Sequence, residues 1–270
     1  MQNKTNKKKP QVQEVKKPII TGSWHGKHAW SLAGKRALNM LAVTVIYLIG
    51  GMLLGFDGIA GRIFSCVMIV FAAAYYLYAS GLAQGQTDAA FGEILYSRRE
   101  NGHNVPAEDI DRSFHPLKGL FAVVVGAVPF VLFTLVFACI TKVTVYQLGA
   151  LPGWMDSLVS QTEVRDALCY YEALGGMKTM DVLRIIDRAM IMPFINVAAY
   201  FGAQASLLAE RLSPLLILVA PMGYALGYSQ GLNLRTRINT GIRMGDEKKK
   251  RRERKARKQR QRSKSPEQLI

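Results

Sequence analysis

Five long uncharged blocks, separated by stretches in which charges crowd together, set the pattern of this chain. Between consecutive charges, Ala37 to Phe56 runs for 20 residues, Ile63 to Thr87 for 25, Gly119 to Thr141 for 23, Ala189 to Ala209 for 21 and Leu212 to Leu234 for 23. At about 1.5 Å per helical residue, each is long enough to cross a hydrocarbon core of about 30 Å. A soluble core would instead mix apolar and polar positions at a helix or strand period. The blocks therefore predict an integral membrane protein built of helices. The first is not read as a cleaved signal, because 36 residues precede it and Gly55-Phe56-Asp57 is a poor small-residue cleavage site.

Charge then orients the blocks. The net charge of +16 divides into +8 for residues 1–36, +11 for residues 235–270 and −3 for everything between. Basic residues near span ends stay on the cytoplasmic side, so two basic tails predict that both termini are cytoplasmic and that the number of crossings is even. Five blocks break that parity. The longest remaining uncharged run, Val143 to Met155, has 13 residues and suits an interfacial segment better than a span. The block to demote is Ala189 to Ala209, which carries Pro193, Asn196, Gly202, Gln204 and Ser206. Such residues cost more in lipid than the Leu, Val and Phe of the other blocks.

The sequence thus predicts an all-α bundle of four transmembrane helices (37–56, 63–87, 119–141 and 212–234) in the cell membrane. A re-entrant or interfacial helix occupies 189–209, or, if that block does cross, there are five spans. Residues 1–36 form a basic N-terminal tail, and 88–118 a cytoplasmic helical hairpin. In that hairpin Asn101-Gly102 offers a stop, and Pro106 with Glu108, Asp109 and Asp111 offers a new helix start. Residues 142–188 form an extracytoplasmic amphipathic segment. Its apolar positions Val164, Leu168 and Tyr171, then Val182, Ile185, Ile186 and Ala189, share a face expected to lie in the headgroup plane or to cover the mouth of the bundle, with Arg184, Asp187 and Arg188 in water.

Small residues every fourth position clear one face of a helix and let another backbone approach. Gly223, Gly227 and Gly231 in the last span, and Gly81 and Gly85 in the second, have that spacing and predict that these two spans pack together near their cytoplasmic ends. Gly51 and Gly55 suggest a close contact at the outer end of the first span.

Candidate chemistry is sparse. Gly227-Tyr228-Ser229-Gln230-Gly231 matches the pattern of hydrolase nucleophiles, but that pattern needs a strand-to-helix turn and a positioned histidine, and here it falls in a predicted helix. His25 with His28, or His103 with His115 and the nearby acids, lack metal-ligand spacing. Trp24 and Trp30 read as interface anchors, and Cys66, Cys139 and Cys169 as isolated thiols. No catalytic, cofactor or metal site is expected, and no ionisable residue interrupts a block.

The remaining feature is the C-terminal run Lys248, Lys249, Lys250, Arg251, Arg252, Arg254, Lys255, Arg257 and Lys258. As a helix it has cations on every face and no apolar stripe, so it stays solvated or meets an anionic surface. Anionic lipid of the inner leaflet is the first partner expected, and RNA, a ribosome or an acidic protein the second. These features fit a non-catalytic accessory, assembly or scaffold protein of the membrane. The competing class is a transporter or channel subunit for a neutral solute with a pathway past Asn196 and Gln204, and the third a membrane serine hydrolase at Ser229. Either of the first two is compatible with a homo- or hetero-oligomer.

Overall fold

A computed structural model describes residues 14–142 and 179–263. It is an all-α membrane bundle with no strand among the described residues. The helices are α1 (Lys27–Leu53), α2 (Ile59–Glu100), α3 (Ala107–Arg112), α4 (Lys118–Ile140), α5 (Thr179–Met190), α6 (Met192–Tyr200), α7 (Ala203–Arg211), α8 (Ser213–Leu216) and α9 (Val219–Ser263). Four segments are long and apolar enough to cross a membrane: Lys27–Leu53, Ile59–Glu100, Lys118–Ile140 and Ser213–Gln259, the last comprising α8 and most of α9. Their outward faces carry Leu41, Phe64, Phe71, Leu132 and Val136, all exposed, as a lipid-facing surface requires. Val43, Tyr47, Ile69, Leu77, Val123, Tyr224 and Tyr228 form the shared interior.

Helices α2 and α9 run parallel and make the most extensive contact in the bundle. The register climbs evenly, with Gly223 at Ala74, Gly227 at Tyr78, Gly231 at Gly85, and finally Arg235 and Asn239 at Glu93. A Cβ on Gly223 would lie 2.5 Å from the Ala74 carbonyl oxygen, and one on Gly81 or Gly227 would strike the backbone of Tyr224 or Tyr78. Only hydrogen fits between these backbones. Gly51 is packed under Met192 Cγ, 2.6 Å from where a Cβ would sit, whereas Gly55 meets only its own helix.

The fifth uncharged block is not continuous. It is divided between the end of α5 and the nine-residue helices α6 and α7, each about 14 Å long. Pro193 opens α6, and Gly202, at φ 95°, separates α6 from α7 in backbone that favours glycine. These short helices lie across one end of the bundle against α1, α2 and α4. Asn196 Nδ2 donates to the Gly51 carbonyl at 2.8 Å, and Arg62 Nη1 to the Asn196 carbonyl at 3.1 Å.

Helix α2 carries on beyond its apolar block, as Phe91, Ile94 and Leu95 ahead of the Asn101-Gly102 stop lead one to expect, through Asp88 to Glu100, 42 residues or about 63 Å, roughly twice the hydrocarbon thickness. Two sequence-based boundaries need correction. Helix α1 starts at Lys27, ten residues before Ala37, because Lys35 and Arg36 are accommodated inside it. Residues 14–26 are not a free tail but an extended strap docked on the helices. Ile20 N–H donates to the Gly92 carbonyl at 3.3 Å, Gly22 N–H to that of Phe114 at 3.1 Å, and Val15 N–H to Thr240 Oγ1 at 3.0 Å.

The apolar face of α5 is outward, as on a helix in the headgroup plane, but its charges are not in water. Val182, Ile185 and Ile186 are 41%, 54% and 41% exposed, while Asp187 is completely buried and the Arg184 side chain only 12% exposed. An apolar surrounding accounts for it: at a membrane boundary aliphatic side chains meet lipid, and charges find partners inside. The positions Val164, Leu168, Tyr171 and Cys169 and the run from Val143 to Met155 lie outside the described residues.

Candidate functional site

Buried polar side chains gather in two places, one at each end of the bundle. At the end where α2 and α9 project, Lys118 opens α4 fully buried. Its ammonium donates to the carbonyls of Asp111, at 2.7 Å, and Ser113. Asp88 is also buried; it accepts Tyr228 Oη–H at 2.6 Å and Gln84 Nε2–H at 2.8 Å. The Phe114 ring stacks on Tyr228 with centroids 5.4 Å apart, and a Cβ on Gly119 would come within 2.6 Å of Tyr228 Cβ. A buried cation and a buried carboxylate thus each have two hydrogen-bond partners, as burial of charge requires.

Asp111 joins this cluster to the start of α1. It accepts the Ser23 hydroxyl and, at 2.9 Å, the His28 N–H, so it caps α1 from a distant part of the chain. Burial works against its charge, but the hydrogen bonds from Ser23 and His28 and the nearby Lys118 outweigh it and hold the carboxyl below the usual range. His115, whose Nδ1 accepts the Leu117 N–H at 3.2 Å, is pushed down by burial and then by Lys118. An open cavity of about 520 Å³ beside Asp111 is bounded by Lys27, His28, Glu108 and Arg112.

Deeper in the bundle, the Arg36 guanidinium lies 4.1 Å over the Tyr224 ring and reaches Ser80 Oγ at 3.3 Å. A void of only about 10 Å³, room for about one water, separates it from Met40, Leu77, Val123 and Pro221. Arg36 Nε is buried without a partner among the described residues.

The opposite end is held by ions. Glu210 is almost wholly buried and accepts Arg188 Nε at 2.7 Å, Arg184 Nε at 3.3 Å and Thr141 Oγ1–H at 2.7 Å. Arg184 Nη2 also reaches Thr141 Oγ1 and the Lys142 carbonyl, which fastens α5 and α7 to the end of α4. Beside this network the Asp187 oxygens and the Ser213 hydroxyl are buried with no partner at hydrogen-bonding geometry among the described residues. Burial pushes the Asp187 carboxyl up to about 7; the Ser213 hydroxyl opposes the shift, Glu210 reinforces it, and Arg188 and Arg184 oppose it. A cavity of about 160 Å³ lies between Lys142, Arg188, Glu210 and Ser206.

The residues singled out from sequence are distributed as follows. Gly81, Gly85, Gly223, Gly227 and Gly231 meet in the seam between α2 and α9. Asn196 and Gln204 are not brought together: Asn196 is tied to Gly51, Gln204 is exposed at the start of α7, and neither lines the cavity at that end. Ser229 sits within continuous helix and donates its hydroxyl to the Leu226 carbonyl at 2.8 Å. The basic residues from Lys248 to Lys258 continue α9 as an exposed helical arm.

Sequence reasoning missed Arg36, Asp88, Lys118, Asp187 and Glu210. Arg36, Asp88, Lys118 and Glu210 each border an uncharged block and read as its boundary, while Asp187 reads as the wet side of an amphipathic helix. Their signal is weak: a lone charge at a block edge reads the same whether it faces water or a partner. Compared with protein-family models, curated proteins and solved structures, the chain matches none of them.

Proposed function

We propose that this protein is a non-catalytic scaffold of the cell membrane, with both termini in the cytoplasm, that presents the basic arm of α9 to an anionic partner. The observation that carries this reading is the continuity of α9. One helix runs from the glycine seam, where backbone contact with α2 fixes its position, into the exposed polycation. A rigid mount joined to a charged arm is what a docking component needs. The charge bias of both tails supports the cytoplasmic side.

Transport of a neutral solute has less support. Among the described residues the void beside Arg36 has room for only about one water, and Asn196 is occupied in fastening α6 to α1. Hydrolysis at Ser229 has less still, since its hydroxyl is bonded within a helix packed on its neighbour.

Single cysteines introduced near residues 10 and 260, probed with a membrane-impermeant thiol reagent, test the orientation. Both should stay unlabelled in intact cells and react in inverted vesicles; labelling of either from outside overturns the proposed orientation. Osmotic swelling of vesicles containing the purified protein tests the competing class. Rates should equal those of protein-free vesicles, and solute entry that Asn196→Leu abolishes would favour a channel.

A further inference from the structure

We infer that the arm of α9 binds the phosphate backbone of a nucleic-acid duplex, standing clear of the bilayer and recognising charge rather than sequence. The inference rests on the scaffold reading for its cytoplasmic location. From Gly241 to Gln259 every residue is exposed. The last uncharged block ends at Leu234, so along the helix Lys248 lies about 21 Å beyond it and Lys258 about 36 Å. The headgroups take up about 5–7 Å of that distance, and at a Debye length of about 8 Å the field of an anionic leaflet falls to under about a fifth at the nearer of these positions.

The base of the arm is braced against tipping over. Glu93 on α2 accepts Arg235 Nη2 at 2.8 Å and Asn239 Nδ2 at 2.6 Å, and the strap is pinned to Thr240 one turn later. Lying on lipid would require a bend at Gly241 or Gly245, and the helix has no apolar stripe to reward it.

Charge density points to the partner. Lys248 to Lys258 holds nine cations and one acid, Glu253. That net charge spread over about 16 Å of helix gives one positive charge per about 2 Å, close to the one negative charge per about 1.7 Å of a duplex. No aromatic residue or histidine occurs between Leu234 and Ser263, so there is no platform on which an unpaired base could stack. Contacts to phosphate alone position a protein without reading sequence. Exposed Lys16 and Lys17 on the strap add positive charge beside the arm's base, where Asp246 and Glu247, the latter paired with Arg243, offset part of it.

The test uses the full chain in nanodiscs of phosphatidylcholine, with short duplex RNA and duplex DNA as separate probes in fluorescence anisotropy. Binding of either supports the inference, and the tighter of the two names the source of the phosphate. Affinity should fall about a thousandfold as salt rises from about 50 to about 200 mM. Replacing Lys248, Lys249, Lys250, Arg251 and Arg252 together by Gln should weaken binding at least about a hundredfold without moving the Tm. Stiffening the base with Gly241→Ala and Gly245→Ala should leave duplex affinity within about twofold, whereas a lipid-bound arm would lose affinity for vesicles.

Three results overturn the inference: no binding of either duplex, tighter binding to phosphatidylglycerol vesicles than to duplex, or displacement of duplex by polyglutamate at equal charge concentration. Thiol labelling reports the scaffold orientation separately. A chain with both ends cytoplasmic that binds neither duplex sinks only the nucleic-acid partner.

Discussion

At the basic end of the bundle, buried Lys118 is held by two backbone carbonyls and Asp88 by a phenol and an amide, whereas at the opposite end Glu210 is held by two arginines and Asp187 has no partner at hydrogen-bonding geometry among the described residues. The difference follows from what surrounds each cluster. The basic end lies beside the glycine seam, where two long helices fix each other's backbone and short neutral donors are already aimed. At the other end four short helices meet with no such seam, and long flexible arginines bridge the gaps that packing leaves. Close packing gives the buried ions of one end neutral partners, although Ser113 Oγ and His28 Nδ1 there stay unpaired among the described residues, while the other end keeps a carboxyl that must choose a proton.

The largest effect expected is at the ionic end. Glu210→Ala leaves Arg184 and Arg188 without their shared partner and should cost about 3–5 kcal/mol, read as a drop in Tm in detergent with early proteolysis between α5 and α8. A cost below about 1 kcal/mol would show that the arginines reach other partners and that this end is not built on ions.

The next effect depends on pH. Folding raises the Asp187 carboxyl from about 3.8 to about 7. Its contribution is therefore fully present below the unfolded value and lost as pH rises through the folded one. The protein should lose about 4 kcal/mol between about pH 4 and pH 8, and Asp187→Asn should flatten that part of the stability profile. A profile equally steep in the Asn variant would assign the titration elsewhere.

At the basic end a single deletion should cost less. Tyr228→Phe removes one of two donors to Asp88, with an expected loss of about 1–3 kcal/mol, and Gln84→Ala should add to it less than independently, since both serve one carboxylate. Smallest of all is the surface pair of Lys27 and Glu108, whose side chains are 90% and 82% exposed. Glu108→Gln should leave the Tm where it was.

Much of the architecture can be read from the sequence because lipid makes simple demands. Long uncharged blocks mark the four spans, and the proline and glycine of the fifth mark the place where helix breaks into α6 and α7. The fourfold glycine spacing is equally visible. Windows drawn from charge to charge, however, treat every charge as an end. They hide Arg36, which enters the bundle over an aromatic ring, and Asp88, which is buried in the middle of a continuous helix. The burial of the α5 charges was missed for a related reason: its hydrophobic period is plain, but a period does not say whether water or lipid lies outside. The strap gives no periodic signal at all, since its bonds to Gly92, Phe114 and Thr240 use largely backbone groups.

The strap also imposes an order on biogenesis. Val15 and Thr240 are 225 positions apart, so the first described residues to leave the ribosome wait for nearly the last before that bond can close. A nascent chain halted before α9 can lay its strap on α2 and α3 but not fasten its end. Closure of the strap is thus a timestamp of completed synthesis, written into the chain's own connectivity.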